Sequence, residues 1–151
     1  MPNAGEIVKV EVSLPKTKWD IGPDTPMNLC PTSYDLNTNE GKVAVINAKS
    51  PGNLIVRPNE PLEMVATNYL IYPDKVVNEE TGELEEICRT VLFDQHGNTF
   101  VTSSEHFPDK LRDIENVFGP AIWSNGIRFS ISERRNRSNT RTYHDCRIQL
   151  P

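Results

Sequence analysis

At 151 residues, 36% of them apolar and 25% charged, the chain is sized for one ordinary domain with an extension, and a multi-domain organisation is not expected. No stretch approaches the length needed to span a bilayer, and the opening residues, Met1 to Glu6, have neither a basic nor an apolar region, so neither a membrane span nor a secretory signal is expected. The formal net charge is −5, yet residues 121–151 hold six arginines against Glu133 and Asp145, a local balance of +4 that leaves −9 on residues 1–120; such a chain can hold a polyanion at one end while the rest keeps it in solution.

In residues 1–60, Ile7, Val8, Val10, Val12 and Leu14 predict a strand ended by Pro15. Trp19 to Pro26 follows, too rich in proline to hold regular structure for long. Residues 27–39 continue as polar loop, residues 43–48 read as a second short strand, and Ser50 to Asn53 make a turn into Leu54–Val56. This region is expected to be an ordered extension that packs strands against a main body, with a flexible loop around residues 20–40.

The main body, residues 61–151, opens with a strand-like run at 62–71 that passes through Tyr72 to Val77. Asn78 to Glu83 then forms an acidic hairpin tip, with Gly82 available for positive φ. Residues 84–93 and 98–103 are further strands, and Thr90 to Thr102 is a hairpin around Gly97. A helix is predicted over 107–118, with Pro108 at its start, Asp109 in its first turn and Gly119-Pro120 as its stop. Phe107, Leu111, Ile114, Val117 and Phe118 form its apolar stripe, and Lys110, Arg112, Asp113, Glu115 and Asn116 are expected to face water.

Residues 121–126 read as a turn closing at Asn125-Gly126. Ile127, Phe129 and Ile131 then alternate with Arg128, Ser130 and Ser132, a strand with one wet face. Arg134 to Arg141 contains no apolar residue and is a loop, and the last strand, 142–150, alternates Cys146, Ile148 and Leu150 with Tyr143, Asp145, Arg147 and Gln149. The expected core is Val91, Leu92, Ile127, Phe129, Ile131 and Ile148. Three strands, a helix and two strands is the order of a five-stranded Greek-key barrel of the oligonucleotide-binding (OB) type. The chain is therefore expected to be mainly β, an OB-type barrel with one capping α-helix and an N-terminal β extension.

For chemistry, the chain has no Walker motif, GxGxxG, HExxH or GxSxG, and its three histidines are scattered, so a non-enzyme without cofactor or metal is expected. Cys30, Cys88 and Cys146 are odd in number and far apart; they imply no disulfide framework or paired CxxC site, suit a reducing cytoplasm, and Cys146 reads as a buried hydrophobe beside His144 rather than a ligand. The basic loop carries the positive signal. Arg134, Arg135, Arg137 and Arg141 can contact phosphates and stack on bases, and Arg128, Tyr143 and Arg147 on the flanking strands extend the same surface and add an aromatic platform. Phe93, Phe100 and Trp123 are read as core residues, with added stacking surfaces as the alternative.

Over residues 62–150 the chain resembles the single-stranded DNA-binding proteins of bacteriophages and mobile elements, in its strand order, the 90–102 hairpin, the helix ending at Phe118-Gly119 and the arginine-rich late hairpin. That resemblance implies coating of single strands during replication or recombination, in the host bacterial cytoplasm if the chain is phage-encoded; replication proteins and further copies of the chain are open as additional partners. The alternative is a structural or adaptor protein, for instance of a virus particle, whose basic loop meets a protein.

Overall fold

The computed structural model of the protein describes residues 18–138 and 141–151, and the strand expected at residues 7–14 lies outside them. The chain is mainly β. Six strands, β1 (Leu62–Ala66), β2 (Asn68–Val77), β3 (Leu84–Phe93), β4 (Thr99–Thr102), β5 (Ile127–Arg135) and β6 (Thr142–Gln149), form two antiparallel three-stranded sheets, ordered β1-β5-β6 and β2-β3-β4. Two α-helices, α1 (Asn39–Asn47) and α2 (His106–Phe118), and two short 3-10 helices, Met27–Leu29 and Pro120–Asn125, complete the described residues.

The run expected as one strand at 62–71 divides between the sheets. Ala66 pairs with Ile127 in one sheet and Asn68 with Phe93 in the other, so the chain turns a corner at Thr67, whose N–H still bonds the Phe93 carbonyl at 2.8 Å. Past the corner, Tyr69, Leu70, Ile71 and Tyr72 are all buried, because both faces of β2 are covered. Tyr69 and Ile71 join Leu92, Phe100, Phe107, Leu111, Ile127, Phe129 and Ile131 in the core between the sheets. Leu70 and Tyr72 join Val91, Phe93, Cys30, Val45 and Ala48 in a second core on the far side of β2-β3-β4. Val91 thus leaves the single core expected for it. A strand buried on both faces shows no alternation, which is why this run hides its sidedness.

Proline in β2 is tolerated for a geometric reason. Ile71 sends its N–H outward to the Pro31 carbonyl, so Pro73, two residues on, would send its own the same way, and no rung to β3 is lost. The 78–83 tip closes as anticipated, with Gly82 at φ 72°.

Residues 43–48, expected as a strand, belong to helix α1. The Thr38 hydroxyl accepts the Gly41 N–H at 3.0 Å and so caps the first turn. Val45 and Ala48 are then one helical step apart and face the second core, while Val43 and Ile46 point to solvent. A strand register would bury the wrong set.

Helix α2 also departs from its expected face. Phe107, Leu111 and Ile114 are buried, but so is Glu115, at 8% exposure, whereas Val117 is 77% exposed and Phe118 half-exposed. Position 115 lies eight residues from Phe107 and four from Leu111, on the same stripe; its charge, not its spacing, suggested water. After Gly119 (φ 84°), the expected turn is a 3-10 helix that buries Trp123 and ends at Gly126 (φ 80°), where a Cβ would lie 2.7 Å from the Val65 side chain.

Between β4 and β6 no backbone ladder runs among the described residues, and side chains join them instead. Thr102 Oγ1 lies 2.7 Å from His144 Nδ1, the Ser104 hydroxyl donates to the His144 carbonyl at 2.8 Å, and the Phe100 ring meets the imidazole edge-on at 5.3 Å.

Candidate nucleic-acid interface

Alternation along β5 and β6 decides where each candidate arginine goes. Ile127, Phe129 and Ile131 face the core, so Arg128, Ser130, Ser132 and Arg134 line the other side. On β6, Cys146 is buried and Ile148 packs against the core, which leaves Tyr143, Asp145, Arg147 and Gln149 outside. The register sets these residues side by side: Arg128 opposite Gln149, Ser130 opposite Arg147, Ser132 opposite Asp145 and Arg134 opposite Tyr143. Arg128, Arg134 and Arg147 therefore share one outer face; alternation anticipates this for Arg128 and Arg147, whereas Arg134, expected in the loop, belongs to β5, which runs on to Arg135. Between them a small recess of about 40 Å³ is lined by Ser130, Ser132, Arg134, Asp145, Cys146 and Arg147.

The other candidates lie at the end of this hairpin. Arg135 pairs with Thr142 and, by alternation, turns to the opposite side from Arg134. Arg137 and Arg141 are exposed at the tip, which Asn136 ties together: its N–H donates to the Arg141 carbonyl at 3.1 Å, and its side-chain oxygen accepts from the Arg141 N–H and the Ser138 hydroxyl. Tyr143 is half-buried, and its ring leans on the His106 ring at 4.8 Å at the start of α2. It is thus a partly covered platform rather than a free one. The six arginines are gathered at one hairpin, but only three share the flat face.

Asp145 is a residue that the reading of basic side chains passes over. Its Oδ2 lies 3.4 Å from Arg134 Nε, and its Oδ1 accepts the Cys146 N–H at 2.9 Å. Both partners of the pair are about half exposed, so the contact orients Arg134 more than it neutralises it. Cys146 itself is buried, and burial pushes its thiol up to about 11, against the nearby Lys110 ammonium. That suits a small core residue. Phe93, Phe100 and Trp123 are likewise buried and offer no stacking surface.

Two other places have chemical character. Within α2, Glu115 Oε1 accepts from the Tyr69 hydroxyl at 2.7 Å and the Trp123 indole N–H at 3.2 Å, and Oε2 meets the Lys18 ammonium at 2.6 Å. Trp19 stacks on Tyr69 at 5.7 Å, and the Lys18 ammonium lies 4.9 Å from the Trp19 ring centroid. Burial and the hydrogen bond to Glu115 both push the Tyr69 hydroxyl far above its ordinary range. This cluster fastens the chain at residues 18–19 to the core, and every polar atom in it has a use in doing so. The second place is an open cleft of about 350 Å³ where the β2–β3 hairpin leaves the sheet, with Pro73, Ile87, Cys88 and Pro108 in its wall and Glu86 and Glu105 at its rim. Its carboxylates repel a polyanion. Among the described residues no three His, Cys, Asp or Glu side chains come together to hold a metal, and no helix is long and apolar enough to cross a membrane.

No protein-family model, curated protein or solved structure matches the chain.

Proposed function

We propose that this protein binds single-stranded DNA without catalysis, through the outer face of β5–β6 and the arginine-rich tip that joins those strands. The observation that carries the reading is the register, which puts Arg128, Arg134 and Arg147 on one face leading into a tip with Arg137 and Arg141. Cations along one surface track a phosphate backbone, and serines among them add hydroxyl donors to phosphate.

The fold reading goes with it. Taken as one strand bent at Thr67, β1 and β2 make the first of five in an OB-type Greek key, with α2 between the third and fourth. The side-chain links of Thr102 and Ser104 to His144 then stand at the seam where such a barrel closes. In barrels of this type the face of the second and third strands and the loop between the fourth and fifth strands contact oligonucleotides. Here the outer face of β3, with Val91 and Phe93, lies under Cys30, Val45 and Tyr34, whose ring meets Phe93 edge-on at 5.1 Å. The chain's own N-terminal part thus takes up that face, and binding falls to the late hairpin. The resemblance to phage and mobile-element single-strand-binding proteins belongs to this reading, and with it a role in coating single strands during replication or recombination.

The test is fluorescence anisotropy with a labelled thymine oligonucleotide and a duplex for comparison, over a salt series. Preferred binding of the single strand, weakening steeply as salt rises, is expected, because each phosphate contact releases condensed counterions. A folded protein that binds neither would turn the reading toward an adaptor that meets protein partners, for which the solvent-facing Val43 and Ile46 on α1 offer a surface.

A further inference from the structure

The outer face of β5–β6 is not uniformly basic. Asp145 stands in its middle, between Tyr143 and Arg147 along β6 and directly opposite Ser132 on β5. Its side chain is 44% exposed. One of its oxygens accepts the Cys146 N–H and the other faces Arg134 Nε, and since a carboxylate oxygen can accept twice, each retains a place for a ligand's donor. The recess beside it, walled by Ser130, Ser132, Arg134 and Arg147, leads to that carboxylate.

A negative charge is a poor element in a track for phosphates, since like charges a few ångströms apart repel. It is a good acceptor for the edge of a base. In a single strand the Watson–Crick edges are open to hydrogen bonding. Guanine presents N1–H and the N2 amino group side by side, matching the two oxygens of a carboxylate. Cytosine and adenine each offer one amino group. Thymine offers a single N3–H between two carbonyl oxygens, which a carboxylate repels.

We propose that Asp145 is a specificity-determining residue, accepting from guanine N1–H and N2–H while Arg134 and Arg147 on either side hold the neighbouring phosphates, an assignment that rests on the single-strand reading above. The protein then prefers strands containing guanine over strands of thymine alone. A purely positioning role for Asp145, holding Arg134 in place, makes a different prediction: its loss would weaken all strands alike.

The experiment is anisotropy with the full chain, using a labelled thymine strand and the same strand carrying isolated guanines. The wild type should favour the guanine strand by about tenfold, the scale of one good bidentate contact to a base. Inosine in place of guanine, which lacks the N2 amino group, should remove most of that preference, a measurement that needs no variant. Asp145→Ala should bring the preference close to one and at the same time tighten binding to the all-thymine strand, because a negative charge has left the phosphate track. Asp145→Asn, which keeps the shape and an acceptor for the Cys146 N–H, should also lose most of the preference. Equal binding of both strands by the wild type overturns the proposal, and so does an Asp145→Ala variant whose affinity for both strands changes by one common factor. Binding of neither strand is a distinct result, which overturns the single-strand reading and the proposal with it.

Discussion

Glu115→Ala takes a carboxylate away from three donors at once. Two of these donors, the Tyr69 hydroxyl and the Trp123 indole N–H, belong to buried side chains that water cannot easily reach. Each buried donor left unsatisfied costs about 1–3 kcal/mol, so the two together cost roughly 2–6 kcal/mol. Lys18 adds less, because its side chain is 42% exposed and can turn to water. Glu115→Gln keeps an oxygen for both buried donors and gives up the charge and the acceptor that faces Lys18, and Lys18→Ala leaves both buried hydrogen bonds in place. Each of these should cost on the order of 1 kcal/mol. Urea denaturation followed by intrinsic fluorescence is the assay, since the chain's two tryptophans, Trp19 and Trp123, both sit at this cluster. The expected ranking is Glu115→Ala far below Glu115→Gln and Lys18→Ala. If Lys18→Ala destabilises as much as Glu115→Ala, the ion pair dominates and the reasoning from buried hydrogen bonds is wrong.

Leu111→Ala should destabilise by roughly 2–5 kcal/mol through lost burial and a residual cavity, whereas Val117→Ala, at a position 77% exposed, should leave the thermal melt almost unchanged. His144 is held below its ordinary value of 6.5 by burial, with the Glu133 carboxylate opposing the shift. The unfolded chain therefore takes up a proton first as pH falls, so stability is fully present above 6.5 and declines below it; His144→Gln should flatten the difference in urea midpoint between neutral and mildly acid pH. Replacing Arg134, Arg135, Arg137 and Arg141 together by Ala should flatten the slope of log affinity against log salt by up to about 3 units, with stability little changed because the contact of Arg134 with Asp145 is half exposed; an unaltered slope in the folded variant would refute phosphate contact by this loop.

Much of the fold is legible wherever one face of an element is wet. β5 and β6 show clean alternation, because their outer face meets solvent and their inner face the core. The β3–β4 hairpin is marked by Gly97, and the structure adds Asp94, whose carboxyl accepts from the N–H groups of His96 and Asn98 and from the Asn98 side chain; although burial opposes it, these bonds hold the acid below its usual range. Legibility fails where both faces are covered. At 69–72 a continuous apolar run conceals the corner at Thr67 and the existence of a second core, since periodicity carries no sign when every residue is buried. It fails also for α1, whose small apolar face rests on a cap at Thr38 more than on a stripe.

The candidate site divides along the same line. Arg128 and Arg147 are found together because a period of two carries their side from the sequence into the sheet, and Arg134 joins them because β5 runs on to Arg135 through residues expected as loop. Tyr143 obeys the same alternation, yet its ring is partly covered by His106, a contact between residues 37 positions apart that no local pattern encodes. Asp145 is overlooked for a different reason: a search for phosphate binders weighs positive charge and treats an acid among arginines as neutralisation. Pairing geometry changes its meaning. The carboxylate stands half exposed at the centre of a basic face, paired with Arg134 across the strands and with acceptor capacity left on both oxygens, and it is there that the proposed contact with a base edge is tested. Glu115 makes the same point inside the core, where an acid on the apolar stripe of a helix organises two aromatic donors and a lysine rather than facing water. At Glu115 the charge that breaks the local pattern marks where long-range contacts, not periodicity, decide the residue's role.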